Sequence, residues 1–455
     1  MKRTLLLLST ILSLITFRTS AQTWQLVGTQ GFSTPVSANS STSMMLDNTG
    51  TPYVAFADAS SADKITVMKY NGASWVLVGT AGFSAGQGYD MSIAIDNNNI
   101  PYVAFGDAGN ASHTTVMKFN GTNWVNVGTA GFSDGVVNNC TLKFDSNDSA
   151  YVAYVDASYS GRAVVKKFNG TNWINIGTAG FTAGGTGQMT MALNNSNQPY
   201  IGYQDQTNGF AASVMMYNGT NWVHVGNPTF SVAQIQYAHI IFDHTGIAPY
   251  VCYNQGYNPF APNLQMYNGT SWVYVGGQNI NTNVDYLNNV AFDMNNIPFV
   301  VFPDGAYSSK ATVMEYTSTS WVNAGNAGFS AGAISFPNIV IDASNNVYVE
   351  YYDTGDSSKI TVMKLATVTS TDNVNTNFIR TIYPNPSVDY AIISLANAVD
   401  QATIKLINIT GQTVFEKQNL SGNKITLDIS TLTKGIYFVE VQHPQKTWYG
   451  KILKE

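Results

Sequence analysis

Short runs of alternating hydrophobic and polar residues recur along residues 22–366, each bounded by Gly, Asn, Asp or Pro. The clearest unit contains four such runs, Met91–Asp96, Pro101–Asp107, Thr115–Gly121 and Trp124–Gly128. Short runs with a period of two are typical of half-buried β-strands, and no stretch of this region has a sustained helical period. The pattern therefore predicts a four-stranded antiparallel meander, whose strands we name a, b, c and d in chain order.

Tryptophan marks the start of strand d in every unit, at Trp24, Trp75, Trp124, Trp173, Trp222, Trp272 and Trp321. Successive tryptophans are 49 to 51 residues apart, which is the size expected of one blade of a β-propeller. The c–d turn is Asn-Gly in five of the seven units. Asn-Gly favours a tight hairpin because both positions accept a positive φ.

The two ends of the repeat region are complementary. The region opens with a lone strand d, Trp24–Gly28, and closes with strands a, b and c alone, at Pro337–Asp342, Val347–Asp353 and Ile360–Leu365. Pairing of the first strand with the last strand c would complete a seventh blade and remove the exposed edge of an open array. We therefore predict an all-β fold, a seven-bladed β-propeller over residues 22–366 that the N-terminal strand closes.

Charge and the N-terminal residues limit the class of protein. Residues 1–21 have a basic start, an apolar run and a small-residue end, which predicts a cleaved signal peptide, and no later segment predicts a transmembrane helix. Only 11% of the residues are charged, the net charge is −6 and no basic stripe is present, which argues against a nucleic-acid partner. Cys140 and Cys252 lack metal-ligand spacing and are interpreted as buried thiols.

Strands that run up and down place the short a–b and c–d turns on one face and the longer b–c and d–a connections on the other, the long-loop face. Loops on a rigid scaffold commonly carry function, so a ligand site is expected there.

An aspartate ends strand b at Asp58, Asp107, Asp156, Asp205, Asp304 and Asp353. A phenylalanine follows strand d at Phe32, Phe83, Phe132, Phe181, Phe230 and Phe329. Two interpretations stay open, a multivalent ring of ligand-binding groups or, as we favour, turn caps and seam fillers.

Residues that break the repeat are better candidates for ligand binding. Glu350 occupies a strand-b position that is small or apolar in the other blades, and His239 occupies a strand-a position that is Ser, Thr or Asn elsewhere. Aromatic residues differ from blade to blade in the b–c loops, at Tyr159, Phe210, Tyr257, Phe260 and Tyr307. These aromatic residues are suited to stacking on a sugar ring or gripping a peptide, although a structural explanation stays open for each.

No catalytic residues, metal or cofactor are predicted. The propeller region contains a single arginine, Arg162, whereas sialidase chemistry needs clustered arginines for the substrate carboxylate. His239, Asp243 and His244 are the nearest approach to a metal cluster, but Asp243 occupies a recurring turn position. A carboxylate pair for glycoside hydrolysis could be drawn from the recurring aspartates, but any acidic ring allows that.

The repeat ends before a Thr- and Asn-rich linker, residues 367–381, and the tail that follows has motifs of its own. These motifs are Tyr383-Pro384-Asn385-Pro386, Ile404–Gly411, Leu432–Val439 with Gly435 and Tyr437, and the closing Lys451–Lys454. In order and spacing, residues 382–455 resemble the type A C-terminal sorting domain of type IX secretion substrates. The resemblance implies export by the type IX translocon of a Gram-negative bacterium, followed by release or surface attachment. The alternating strands of the tail suggest a small β-sandwich.

Three functions are compatible with this sequence. The first is a monomeric surface or secreted binding module that recognises a glycan or a protein through the long-loop face. The repeat is loosely similar to propeller lectins, although no sugar-site motif matches residue by residue. The alternative is a polysaccharide-active enzyme, a hydrolase or lyase, that uses acidic residues on the same face. A spacer or adhesin segment without a discrete pocket is the third.

Overall fold

A computed structural model describes residues 22–36, 42–256, 260–285, 288–367, 379–408, 412–443 and 446–455. The chain divides into two compact units, Gln22–Ala366 and the residues from Thr367 onwards, and the strands of both units confirm the predicted all-β class. The predicted signal peptide, Tyr257, Gly411 and most of the predicted linker lie outside the described residues.

Seven four-stranded antiparallel sheets form the first unit, one for each blade. The first strand is β1 (Gln22–Leu26). Blades I to III follow in the order a to d: β2 (Ser43–Leu46), β3 (Pro52–Asp58), β4 (Lys64–Tyr70), β5 (Trp75–Leu77); β6 (Gly88–Ile95), β7 (Pro101–Asp107), β8 (His113–Phe119), β9 (Trp124–Asn126); β10 (Val137–Phe144), β11 (Ala150–Asp156), β12 (Arg162–Phe168), β13 (Trp173–Asn175).

The remaining blades repeat this arrangement. Blades IV to VI are β14 (Thr186–Leu193), β15 (Pro199–Asp205), β16 (Ala211–Tyr217), β17 (Trp222–His224); β18 (Ile235–Phe242), β19 (Pro249–Gln255), β20 (Ala261–Tyr267), β21 (Trp272–Tyr274); β22 (Asn289–Phe292), β23 (Pro298–Asp304), β24 (Lys310–Tyr316), β25 (Trp321–Asn323). Blade VII contributes β26 (Ile334–Ile341), β27 (Val347–Asp353) and β28 (Lys359–Thr367).

The N-terminal strand completes the seventh blade. Its sheet has the order β1-β28-β27-β26, so the first strand pairs with the last strand c. Just beyond β1, the backbone N–H of Val27 donates to the carbonyl oxygen of Val362 at 2.9 Å. The predicted closure of the ring is therefore confirmed, together with the count of seven blades.

Each seam between neighbouring blades is held by the recurring tryptophan. All seven indole N–H groups donate to a carbonyl oxygen in or just after strand d of the preceding blade, at distances from 2.7 to 3.0 Å. Six of the indoles stack on the phenylalanine that follows strand d, for example Trp75 on Phe32 with ring centroids 4.0 Å apart. Buried side chains of two adjacent blades surround each seam, so the core is a ring of inter-blade clusters.

Strand a begins earlier than the sequence pattern predicted. In blade II the strand starts at Gly88 instead of Met91, because a β-bulge between Tyr89 and Ser92 lets the pairing continue. Asp90 in this bulge has a φ of +48°, and the equivalent bulges of other blades hold Asn139, Tyr237 and Phe336 in the same left-handed region. Side chains that seemed to belong to a loop thus lie at the start of the innermost strand.

The b–c connections of six blades contain one 3₁₀ turn each, on the long-loop face. These turns are Ala59–Ser61, Ala108–Asn110, Ala157–Tyr159, Gln206–Asn208, Gly305–Tyr307 and Thr354–Asp356. Each ends at a residue in the left-handed conformation, which reverses the chain into strand c.

The C-terminal unit is built from five strands: β29 (Ile379–Tyr383), β30 (Tyr390–Asn408), β31 (Thr413–Asp428), β32 (Gly435–His443) and β33 (Lys446–Lys454). The first part of β30 pairs with β29 and its last part pairs with β32, while β31 follows β30 along its length. Buried aliphatic side chains such as Ile393, Ile404 and Val439 fill its interior. The predicted small β-sandwich is thus one continuous sheet folded around its own core.

Candidate functional site

The recurring aspartates cap the turns of the long-loop face. At each 3₁₀ turn the aspartate that ends strand b accepts a hydrogen bond from the backbone N–H two residues later. Burial would raise the pKa of Asp58, but hydrogen bonds from Ser60, Thr34 and Thr66 outweigh it and lower this pKa below its ordinary value. The favoured interpretation of these residues as turn caps is therefore confirmed, as is that of the stacked phenylalanines as seam fillers.

Two of the candidate loop aromatics occupy the last position of a 3₁₀ turn. Tyr159 and Tyr307 each pack against a glycine that follows strand d of the same blade, Gly180 and Gly328, where an added Cβ would lie within 3 Å of the tyrosine Cβ. The Tyr159 hydroxyl donates to a carboxylate oxygen of Asp134 at 2.7 Å, and this hydrogen bond raises the pKa of Tyr159. Tyr307 leaves 48% of its surface exposed, which makes it the freer of the two rings.

Phe210 projects from the long-loop face in a strained conformation. Its φ is +59°, a region that a bulky side chain rarely adopts, and the equivalent positions of other blades hold smaller residues. The Phe210 carbonyl accepts a hydrogen bond from the backbone N–H of Ile235 at 2.9 Å, which holds this backbone in place. The ring is 44% exposed. Strained exposed residues cluster at functional sites, so Phe210 remains a candidate.

The other two loop aromatics differ. Phe260 is only 8% exposed and forms an antiparallel bridge with Val284, which places its ring in the interior instead of on the long-loop face. In blade V, Gln255 stands in place of the capping aspartate, and Phe260 pairs with Val284 of the following d–a connection. Tyr257 lies outside the described residues.

The inner strands of all seven blades enclose a central channel with a volume of about 490 Å³. Its first layer of side chains is polar and consists of Ser43, Ser92, Thr141, Thr190, His239, Asn289 and Asn338. Three of these hydroxyls bind the next blade. Ser43 accepts from the backbone N–H of Ile93, Ser92 from that of Leu142, and Thr190 from that of Ile240. The position of His239 is therefore part of a ring that ties the blades together around the channel.

His239 is neutral in this ring. Burial and, to a smaller extent, the nearby ammonium of Lys143 lower the pKa of His239 to about 4, although a hydrogen bond with the backbone of Asn288 opposes this shift. Lys143 lies two residues after Thr141 on β10 and faces the same channel. The second layer of the channel is otherwise apolar, with Met45, Ala192, Ile241, Ala291 and Val340.

Lys143 and Asp90 are functional candidates that the sequence analysis missed. Burial lowers the pKa of Lys143 and raises the pKa of Asp90, whose carboxylate accepts from the backbone N–H of Asn139 at 3.1 Å. A comparison of strand a across blades could have found Lys143, since every equivalent residue is apolar. The predicted strand a of blade II began at Met91, so Asp90 fell in the preceding connection. The bulge is the reason that its place in the strand was not predicted.

Glu350 lies behind the channel wall at the seam between blades VII and I. It is fully buried, and its Oε2 accepts from the Thr42 hydroxyl at 3.0 Å and from the Asn338 side-chain amide at 2.8 Å. The other oxygen, Oε1, has no hydrogen-bond partner. Burial raises the pKa of Glu350 to about 8 despite these two hydrogen bonds. Glu350 therefore carries a proton at neutral pH and has no direct access to a ligand.

A Glu350→Gln variant is expected to be more stable than the native protein at neutral and alkaline pH. Because the folded carboxyl titrates near 8 and the unfolded one near 4.5, the native protein loses stability as pH rises through this window, by roughly 3 kcal/mol at pH 7. The amide keeps both hydrogen bonds without this penalty. Chemical denaturation of both proteins between pH 4 and 9 measures the difference.

Glu350→Ala is the matched control, since it leaves Thr42 and Asn338 unpaired and should destabilise the protein at acidic pH as well. A stability difference between the native protein and Glu350→Gln that does not change with pH would contradict the buried protonated carboxyl. Comparing each variant with the native protein cancels the opposite contribution of His239, whose lowered pKa removes stability as pH falls from 6.5 towards 4.

A metal site, a disulfide and a membrane-spanning helix each place requirements on the described residues. No group of three or more His, Cys, Asp or Glu side chains within residues 22–36, 42–256 or the later described ranges is placed to hold a metal ion. Cys140 and Cys252 are buried free thiols, as predicted. No helix among the described residues is long and apolar enough to cross a membrane.

Residues 381–455 match the family of secretion system C-terminal sorting domains. The sorting residues Tyr383, Pro384, Asn385, Pro386, Gly435, Tyr437 and Lys451 all lie within the match, as does Gly411. In the structure the Asn385 side chain accepts from the backbone N–H of Leu453 at 2.9 Å and donates to the carbonyl of Lys451 at 3.0 Å, which joins the first motif to the last. The tail is thus a type IX sorting domain, and the protein is exported.

No curated protein matches the chain. Among solved structures, a polysaccharide lyase described as an ulvanlyase is 11% identical, with 74% of this chain and 94% of that chain covered and a TM-score of 0.50. A fucose-specific lectin from Aleuria aurantia is 16% identical over 66% of this chain and 99% of that chain, with a TM-score of 0.44. A Dyadobacter fermentans protein of unknown function is 12% identical over 76% and 98%, with a TM-score of 0.41. At these identities the likeness concerns the fold alone.

Proposed function

We propose that this exported protein is a surface or secreted binding and adhesion module that recognises an extended glycan through the long-loop face of its propeller. The observation that carries the proposal is the pair of exposed aromatic rings, Phe210 and Tyr307, which rigid b–c connections present on that face. Aromatic rings stack on the apolar faces of sugars, and a ring already held by its backbone loses little entropy on binding.

The two platforms belong to different blades. Phe210 lies on blade IV and Tyr307 on blade VI, and no ring contact joins them among the described aromatic residues. Separate weak sites on one rigid face favour a polymer that can occupy both, because the second contact then forms at a high effective concentration. We therefore propose a polysaccharide as the ligand. The alternative is a protein partner, which glycan screening would have to exclude.

An enzyme acting on polysaccharides, a hydrolase or lyase, is the second candidate. The observation that favours it is the channel, where Asp90, Lys143 and His239 all have shifted pKa values, as residues of active sites often do. The capping aspartates do not support it, because their carboxylates are already engaged in the turns. Measuring product release from any glycan that binds would separate the two functions.

The export route completes the proposal. Residues 1–21 would act as a cleaved leader for the inner membrane, and the C-terminal domain would engage the type IX translocon before the propeller is released or attached at the outer surface of a Gram-negative bacterium. The propeller closes within one chain, so a monomer is sufficient for binding.

A Phe210→Ala, Tyr307→Ala double variant is expected to bind at least roughly tenfold more weakly to the glycan that a glycan array identifies for residues 22–366, because loss of central aromatic anchors is costly in binding. Each single variant should have a smaller effect on the polymer. The affinities are measured by isothermal titration calorimetry with the polymer.

Val232→Ala is the matched control, since Val232 is 67% exposed in a d–a connection and is not aromatic. All four variants should melt at nearly the temperature of the native protein, because the substituted side chains are exposed. Undiminished polymer affinity in the double variant would contradict binding through these rings.

A further inference from the structure

Lys143 is a cation that has no partner among the described residues of the propeller. It belongs to the inner strand β10, and its side chain lines the channel together with residues from all seven blades. The ion pair found in the described part of the chain joins Lys167 to Asp145, and no hydrogen bond or ion pair is formed by Lys143 there. Lys143 is half-buried, and an ammonium group that is partly shielded from water without a counter-ion is unfavourable, so such a group usually has a partner.

Its surroundings donate hydrogen bonds. The hydroxyl of Ser92 accepts from the N–H of Leu142, and its own O–H is still available to donate towards the channel. The Thr141 hydroxyl lies one layer from Lys143 on the same face of β10, and the neutral ring of His239 lies across from both. The ammonium of Lys143 can only donate, so an acceptor that approaches it would also meet the O–H groups of Ser92 and Thr141.

The charge of the channel limits the ligand further. Lys143 is the one lysine or arginine among the described residues that line the channel, and His239 is neutral. Asp90 also lines the channel, but its carboxylate accepts from the backbone N–H of Asn139 and forms no ion pair with Lys143 among the described residues. A single negative charge matches this site, whereas a dianion such as a phosphate monoester would keep an unpaired charge.

We propose that the central channel binds a small ligand through a singly charged oxyanion, a carboxylate or a sulfate ester, with Lys143 as its counter-ion and the hydroxyls of Ser92 and Thr141 as additional donors. The channel volume of about 490 Å³ lies within the range of small-molecule sites and suits one acidic sugar. This site shares no residue with the aromatic platforms of the long-loop face and extends the protein beyond the function proposed above.

The test uses the whole chain without its leader and three probes of similar size, D-glucuronate, D-glucose 6-sulfate and neutral D-glucose. Calorimetry should show saturable binding of at least one of the two anions and none of glucose. Glucuronate alone would assign a carboxylate, and the sulfate ester alone would assign a sulfate. Absence of saturable binding for both anions would overturn the proposal.

Lys143→Met is the decisive variant, because Met45 already occupies the equivalent position of blade I and the substitution should preserve folding. It should weaken anion binding at least tenfold. Lys118→Met, in the outer part of blade II, is the matched control and should bind as the native protein does. An unchanged affinity in Lys143→Met would overturn the proposal even if the native protein binds.

The same titrations separate this site from the long-loop face. The Phe210→Ala, Tyr307→Ala double variant should bind the monomeric anion with native affinity. If that variant keeps both its polymer binding and its anion binding, the proposed glycan platforms fail and the channel site stands. If Lys143→Met binds the anion as the native protein does, while the double variant loses polymer binding, the channel site fails and the aromatic platforms stand.

Discussion

Removing residues 382–455 is expected to abolish delivery of the protein to the outside of the cell. The sorting domain carries the motifs that the type IX translocon reads, whereas the propeller has its own core and its own closed hydrogen-bonding pattern. The truncated protein should therefore accumulate, folded, in the periplasm. Cell fractionation and immunoblotting measure the distribution, with at least a tenfold loss expected from the medium and the outer surface.

A second truncation makes this result specific. A chain that keeps the sorting domain and loses the propeller, residues 22–366, should still leave the cell, since the C-terminal strands enclose a core of their own. The periplasmic propeller should melt at the temperature of the full-length protein, which would exclude misfolding as the cause of retention. Appearance of the truncated propeller outside the cell would show that residues 382–455 are not required for export.

Replacing Trp24 by alanine is expected to destabilise the whole propeller as much as replacing Trp124. Both indoles bridge two blades, Trp24 to the carbonyl of Ala324 at 3.0 Å and Trp124 to that of Val78 at 2.7 Å. Each stacks on a phenylalanine and is about nine-tenths buried. Loss of a buried tryptophan costs about 3–5 kcal/mol, so both melting temperatures should fall by several degrees in differential scanning calorimetry.

Leu26→Ala on the same strand is the control, because 46% of Leu26 is exposed and its loss should change the melt little. Equal effects of Trp24→Ala and Trp124→Ala would mean that the N-terminal strand is an integral part of a closed ring. A Trp24→Ala variant that melts like the native protein would mean that β1 is not docked in solution.

The sequence predicted the architecture because each blade repeats one set of local rules. Asn-Gly turns, strand periods of two and the tryptophan of strand d recur often enough that an irregular blade does not obscure them, and the unmatched strands at the two ends can be combined in only one way. Strand ends were less predictable, since the bulge at Asp90 depends on pairing with β7 and not on the local pattern.

The candidate site was predicted only in part, because exposure and charge pairing are properties of the assembled ring. Phe210 and Tyr307 are exposed as expected, but Phe260 is buried and pairs with Val284 of the following d–a connection. Glu350 and His239 were recognised from the sequence as departures from the repeat. That Glu350 lies behind the channel wall and His239 within it could not be predicted, because the curvature of the ring decides both positions. Lys143 became a candidate only once the structure showed that it has no partner among the described residues.

The contact between the N–H of Gly31 and the hydroxyl of Thr361 joins residues 330 positions apart. A chain that is made from its N-terminus cannot form this contact until almost all of the propeller has been synthesised, and such distant contacts also form slowly. The seam between the first and last strands is therefore the last part of the ring that can close during synthesis.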